Sequence, residues 1–418
     1  MRRVDAEKLY YALEFFLAMP TWVVTSLYLV SVLHLSPLQL VLMGTAMEAA
    51  VFFGEIPTGL VADTYSRRLS LVIGYLGMGI SWLLVGVIDS PAVVIALWAL
   101  WGVSYTFTSG AYEAWITDEV GIERVPNVFL RGARLAYAGS FLGLVVFVGL
   151  GALSLRAAVL ASGVVTIACG VACALLMPET GFVRRRHDSA NAFRALAATA
   201  SIGARFMRGK PLLVLLFGIA LIGGMGAEAF DRLKEAHFIR DVGLPTIGGF
   251  EPVVWFGALS AVAMVFAFFA AGTLRKRFER TGTAKVAQLL FAATGLVILA
   301  QLAFALTSSA AVAIVALLGV YLIRLLMNPL WSIWLNQQIT DSSVRATVLS
   351  MTGQADAVGQ AAGGPVLGAI GNVWGIRAAL ATGALVLTPA LGLYARALRH
   401  GGAEPELEAL PQPQLGDA

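Results

Sequence analysis

The 418-residue chain is 58% hydrophobic and only 13% charged, with a mean hydropathy of +0.81, whereas soluble domains carry about 25% charged residues. That balance excludes a water-soluble globular enzyme, because the polar residues are too few to cover a folded chain of this size. The net charge of +4 and pI near 9.1 do not mark a nucleic-acid binder either, since the basic residues sit in short segments between apolar runs rather than along one polar face.

Apolar runs of helical length follow one another from the start of the chain, each long enough to cross a hydrocarbon core of about 30 Å. The first half is predicted to hold helices at roughly 9–33, 37–62, 68–88, 92–117, 128–153 and 156–178. The first of these is too long for a signal h-region and has no small-residue cleavage site after it, so it is expected to stay in the mature protein. The sixth carries Cys169 and Cys173, the only two cysteines. They stand four apart, face the same way on a helix and imply packing rather than a disulfide framework or metal site. A polar segment follows, and then six more runs at roughly 211–239, 252–273, 284–306, 310–337, 344–371 and 375–397. The expected architecture is all-α integral membrane, with twelve transmembrane helices in two six-helix bundles at 1–178 and 211–397. A linker at 179–210 joins them, and a disordered tail at 398–418, acidic and proline-rich, ends the chain.

Basic residues orient the helices, because Lys and Arg are retained on the cytoplasmic side. One set of loops holds Arg2, Arg3, Lys8, Arg67, Arg68, Arg124, the run Arg184 to Arg186, Arg194, Arg205, Arg208, Lys210, Arg275 to Arg277, Arg280, Lys285, Arg345, Arg396 and Arg399. The opposite loops hold Arg156, Arg232, Lys234, Arg240 and Arg377. Both termini and the central linker are therefore expected in the cytoplasm of a multi-pass protein of the cell (plasma) membrane, embedded among its lipids.

Between the second and third runs stands Gly54-Glu55-Ile56-Pro57-Thr58-Gly59-Leu60-Val61-Ala62-Asp63-Thr64-Tyr65-Ser66-Arg67-Arg68. Gly59, Asp63, Arg67 and Arg68 match in spacing the signature that the major facilitator superfamily carries between its second and third helices. Thr64 replaces the usual basic residue and Ser66 the usual glycine. In that family the acid of this loop contacts the eleventh helix and latches the cytoplasmic side. The resemblance thus implies an inter-half gate of Asp63 with Arg345, which follows the capping residues Ser342 and Ser343. Gly272 followed by Arg275, Lys276 and Arg277 is a degenerate echo of the motif in the second half. The eleventh run contains Gly363-Gly364-Pro365-Val366-Leu367-Gly368, suited to close helix packing and a bend.

Within the superfamily, the run Ser109 to Glu119 and the run Arg345-Ala346-Thr347 look like bacterial drug-efflux branches. The fourth-helix arginine of the drug antiporters is replaced here by Thr106, four residues before Gly110. The stretch Gly139 to Gly143 lacks the proline of their fifth-helix motif.

Ionisable residues in a bilayer cost about 2.5–3.5 kcal/mol at a helix centre on insertion scales and are functional candidates by default. Here they are Glu14, Glu48, Glu55, Glu113, Glu228, Asp231, Arg324 and Asp356. Glu113, flanked by Tyr112 and Trp115, and Glu228, after Gly223-Gly224-Met225-Gly226, rank first as proton-coupling or substrate groups. For Glu55 and Asp231 structural ion pairing or interfacial placement is as good a reading. Asp356 is placed to pair with Arg324, either as a structural salt bridge or in coupling. Trp22, Tyr28, Tyr105, Tyr112, Trp115, Trp331 and Trp334 are the expected cavity aromatics, suited to a cation. Trp82, Trp98 and Trp101 are assigned to interface belts or packing, and His34 and His237 to outer helix ends without a relay role.

The residues together predict a monomeric secondary transporter that exports small hydrophobic or cationic compounds by alternating access and proton antiport, as in multidrug efflux. Protons are its coupling ion, and it needs no cofactor or metal. Uptake or facilitation of a small metabolite is the alternative within the fold, and a non-transporting membrane receptor the alternative outside it. No nucleotide loop, metal cluster or nucleophile-base spacing suggests an enzyme.

Overall fold

The structure, a computed structural model, describes residues 5–183, 211–245, 247–278, 282–338 and 342–400. Most of the expected linker with its basic run at 184–210, the tail from Gly401, residues 279–281, and the side chains of 275–278 and of Arg345 lie outside the described residues.

The first rod is α1 (Ala6–Leu17), capped by Asp5, which accepts from the Glu7 backbone N at 3.0 Å, and α2 (Trp22–Ser31). Pro20, which lacks an amide hydrogen, stands in the break between them. A capping box of Ser36 and Gln39, with Pro37 at the first helical position, starts α3 (Pro37–Thr64). Ser66 caps α4 (Arg67–Val87), and Pro91 opens α5 (Pro91–Thr106). After a turn at Phe107 to Gly110 the fourth rod resumes as α6 (Ala111–Val120). Gly110 has φ +71, a conformation that favours glycine. Then come α7 (Val125–Leu153) and α8 (Leu155–Leu176).

The second half repeats the pattern with α9 (Pro211–His237), extended by a π-turn at Phe238–Val242, then α10 (Pro252–Phe278), α11 (Thr283–Leu306) and α12 (Ala310–Gln338). It ends with α13 (Ser342–Trp374) and a last rod split into α14 (Ile376–Val386) and α15 (Thr388–His400). Among the described residues fifteen α-helices form twelve rods, six before residue 184 and six after residue 210. Ten candidate spans are long and apolar enough to cross a membrane; α13 and the full length of α10 fall outside that criterion. The first, fourth and twelfth runs, expected as unbroken helices, are each interrupted, the first at Pro20, the fourth at the Phe107–Gly110 turn and the twelfth at Leu387.

The rods run alternately between a terminal face, where Asp5 and His400 lie, and a far face. At the terminal face each half has its own core: one contains Leu13, Trp115 and Cys173, the other Leu216, Leu290 and Trp334. Toward the far face a single core takes Leu27 and Trp98 from the first half with Phe230 and Phe304 from the second. Polar contacts agree: Asn372 Oδ1 accepts from the Leu38 N at 2.9 Å, and Arg240 donates to the carbonyls of Leu35 at 2.8 Å and Val30 at 3.4 Å. Helices α3 and α13 approach closely there because Gly364 and Gly368 leave room for Val41 and Leu38. The described halves are thus joined at the far face and separately cored at the terminal face.

Two basic residues expected in far-face loops are not there. Arg232 and Lys234 lie within α9, where carboxylates compensate them, so they are not topological markers.

Candidate functional site

The broken first and fourth rods open onto one cavity of about 390 Å³ in the first half, within the range of small-molecule sites. The break before α2 contributes Leu17, Ala18, Pro20 and Trp22, and the turn before α6 contributes Thr108 and Ser109. Glu14 of α1 and Glu113 of α6 both line it, within electrostatic range of each other. Glu113 sits in the first turn of α6, where unpaired amides and the helix dipole favour a negative charge. Tyr10 and Tyr112 stand beside Glu14, and the Tyr112 hydroxyl donates to the Tyr10 carbonyl at 3.2 Å. Among the described residues no cation forms an ion pair with Glu14 or Glu113.

The remaining wall is aromatic. Trp22 stacks on Trp98 at 5.1 Å and meets Trp101 at 5.5 Å and Trp82 at 6.2 Å edge-on, while Tyr105 stacks on Trp101 at 5.5 Å. Trp82, Trp101 and Tyr75 line the cavity with Trp22, Tyr105 and Tyr112, so the assignment of Trp82 and Trp101 to belts or packing is corrected. Trp98 backs them from the core. The spacing of Trp98, Trp101 and Tyr105 on one helix face was the available signal. The Trp82 indole N–H is buried without a partner among the described residues. Two expected cavity aromatics lie elsewhere. Tyr28 is buried and donates to the Val85 carbonyl at 3.2 Å, and the Trp115 indole is tied to the Pro178 carbonyl at 2.8 Å.

The second half holds a cavity of about 360 Å³ lined by Asp356, Asn328, Thr352, Gly353, Trp331, Tyr394 and neighbours. Trp334 is buried behind it, 5.6 Å from both Trp331 and Tyr394. Gly223 lines this cavity, whereas Gly224 and Gly226 let α9 approach the Asp356 backbone and Leu387.

Acids of the second half are largely matched by cations. Glu228, 1% exposed, accepts from Arg232 Nε at 3.1 Å. Asp231 accepts from Arg324 at 2.6 Å, and Glu235 lies 3.3 Å from Lys234. The expected Asp356–Arg324 pair is not made: Arg324 lies against the Phe230 ring and takes Asp231, while Asp356 accepts from Gln360 at 2.8 Å. Glu48, on α3, faces the charges of Arg232 and Asp356 across the junction of the halves. Glu55 lies exposed near the end of α3. His237, at the far face, bridges Asp241 at 2.9 Å and the Phe304 carbonyl at 3.0 Å.

The gate motif is partly resolved. Asp63 lies in the last turn of α3 rather than in a loop, and the backbone at Gly59 faces open space. Arg67 forms an ion pair with Asp118 of α6, inside its own half. Glu179 accepts from the Ser66 hydroxyl at 2.7 Å and from the amides of Arg67 at 2.6 Å and Arg68 at 3.1 Å, binding the start of α4 to the segment after α8. The expected Asp63–Arg345 contact falls outside the described side chains.

A family model described as Major Facilitator Superfamily matches residues 9–363. The chain belongs to this superfamily. It is a membrane-embedded transporter of small molecules, not an enzyme. An uncharacterized MFS-type transporter, YxaM, from Bacillus subtilis (strain 168), is 23% identical over 378 residues, 90% of each chain. The fold is similar to that of the nucleoside transporter NupG, with TM-score 0.73 and 14% identity over 95% of this chain and 99% of that one. It is also similar to a peptide transporter POT solved with sulfate, with TM-score 0.73 and 16% identity over 95% of both chains. A bacterial homolog of the human lysosomal transporter Spinster, solved in an inward-facing and occupied conformation, gives TM-score 0.70 and 16% identity over 94% of this chain and 96% of that one.

Proposed function

We propose that this superfamily member exports small hydrophobic or cationic compounds in exchange for protons, by alternating access. It acts as a monomer in the plasma membrane, with the terminal face toward the cytoplasm. The observation that carries this reading is the pairing of two carboxylates, Glu14 and Glu113, with no ion-pairing cation among the described residues, in a cavity walled by Trp22, Trp82, Trp101 and Tyr105. Such a site lacks a positive charge that only a proton or a bound cation can supply, and indole faces favour an organic cation over a hydrated inorganic one. A proton and a substrate cation that neutralise the same carboxylates exclude each other, which is the requirement for exchange.

Glu113 and Glu228 take and lose the coupling protons, with Glu14, Glu48, Asp231, Asp356 and Arg324 as supporting charges. Gly59, Asp63, Arg67, Arg68 and Arg345 form the gate at the terminal face. The halves, joined at the far face, then present the state that loads substrate from the cytoplasm.

Protein reconstituted in sealed liposomes, with an imposed pH gradient and a fluorescent aromatic cation, tests the function. Proton antiport is expected to accelerate cation flux against the direction of proton flow. Flux indifferent to the gradient supports the facilitator reading, and saturable binding without flux supports a receptor.

A further inference from the structure

The strongest feature not absorbed by that cavity lies where α9 meets α3. A Cβ at Gly44 of α3 would overlap Glu228 Oε1 and Arg232 Nε and stand 2.7 Å from Arg232 Cζ, so the ion pair of the second half rests directly on the backbone of the first. Glu48 lies one helical turn beyond Gly44, on the same face of α3, and is within electrostatic range of Arg232. One guanidinium therefore stands between two carboxylates that belong to different halves. Glu228 is sealed by α3 and by Gly364 of α13. The Thr45 hydroxyl, buried without a partner among the described residues, abuts Gly364 beside it.

The other charges facing this junction are Asp231 on α9, held by Arg324 of α12 at 2.6 Å, and Asp356 on α13, held by Gln360 at 2.8 Å. Four carboxylates thus face two guanidiniums at this junction, where Glu228 is buried at 1% exposure while Asp231 and Arg324 remain partly open to solvent.

Building on the antiport reading, we infer that Arg232 is an exchange cation that converts a proton on Glu228 into a tie between the two halves. With Glu228 ionised, Arg232 pairs along its own helix, as in this structure, and the halves are free to part at the far face. When the halves part, α3 leaves Glu228 open to the far side. A proton from that side forms an O–H bond on the Glu228 carboxylate, the ion pair with Arg232 breaks, and Arg232, still charged, turns to Glu48. The new pair spans the interface and holds the far face closed until the proton leaves toward the terminal side. Arg232 and Glu48 are positioning residues in this scheme.

The test uses full-length protein in lipid nanodiscs with spin labels at Val87→Cys and Leu306→Cys, exposed far-face ends of α4 and α11, the native Cys169 and Cys173 being buried. Acidification is expected to raise the ratio of the short to the long distance by about tenfold. Glu228→Gln should hold the short distance at every pH, and adding Glu48→Gln should restore the long one. Glu48→Gln alone, a change at a partly exposed position that leaves the buried pair intact, should abolish the pH response, and this arm decides the matter if Glu228→Gln does not fold. A full pH response in Glu48→Gln overturns the exchange, as does a Glu228→Gln protein that matches alkaline wild type. Proton-coupled flux in liposomes is scored separately. Distances that follow the scheme without coupled flux overturn antiport and leave the exchange standing, whereas coupled flux with an unaltered Glu48→Gln response does the reverse.

Discussion

The two halves share a fold but treat buried charge in opposite ways. In the second half Glu228, Asp231 and Glu235 each face a cation from α9 or α12, so those acids are largely compensated by the protein itself. In the first half Glu14 and Glu113 share a cavity with no protein cation in ion-pair contact among the described residues, framed instead by tryptophan and tyrosine. Compensated charge builds a junction that can carry force between the halves; uncompensated charge leaves a site that must be completed by something that comes and goes. The division of labour between binding and conformational tie follows from that difference.

The largest contrast is in stability. Arg232→Met strands Glu228 at 1% exposure and is expected to destabilise the protein by about 3–5 kcal/mol, with much of the loss recovered in the Arg232→Met, Glu228→Gln double variant. Thermal unfolding in detergent measures both, and a stable single variant would break the distinction. Glu113→Gln should leave the melting temperature nearly unchanged, because no protein cation loses its partner. Its affinity for an aromatic cation should fall about 10- to 100-fold by calorimetry. Trp101→Ala sharpens the comparison at the cavity wall, with an expected loss of affinity of about 3- to 30-fold, corresponding to a cation–π contact of about 0.5–2 kcal/mol. The smallest effect is expected at Tyr28→Phe, which removes a hydroxyl bonded to the Val85 carbonyl at 3.2 Å. It should cost about 1 kcal/mol of stability and leave ligand affinity unaltered, because Tyr28 packs in the core rather than at the cavity.

Composition and apolar run length were enough to place the chain in a bilayer and to locate every rod within a few residues, since a span is a property of consecutive residues. The Gly59 to Arg68 segment carried the superfamily because its spacing is local too. What sequence reading missed depends on the rotational phase of distant helices. Arg324 selects Asp231 over Asp356 because the third dimension brings α12 to that face of α9. Arg232 and Lys234 read as loop residues because a hydropathy pattern does not reveal that Glu228 and Glu235 compensate them within the helix. The tryptophans at 82 and 101 resembled belt residues until the breaks at Pro20 and at Phe107 to Gly110 opened a cavity beside them. Those breaks were written in the sequence as a proline and a glycine, but apolar content alone carries a helix straight through both.

Exchange of a cation for a proton at Glu14 and Glu113 is most directly tested by proton release on binding. Purified protein in weakly buffered detergent, titrated with an aromatic quaternary cation while a pH indicator is followed, should release about one proton per bound cation. The release should disappear in the Glu14→Gln, Glu113→Gln double variant, which removes both carboxylates of the cavity. Saturable binding with no proton released, and with an affinity that does not change with pH, would contradict the account.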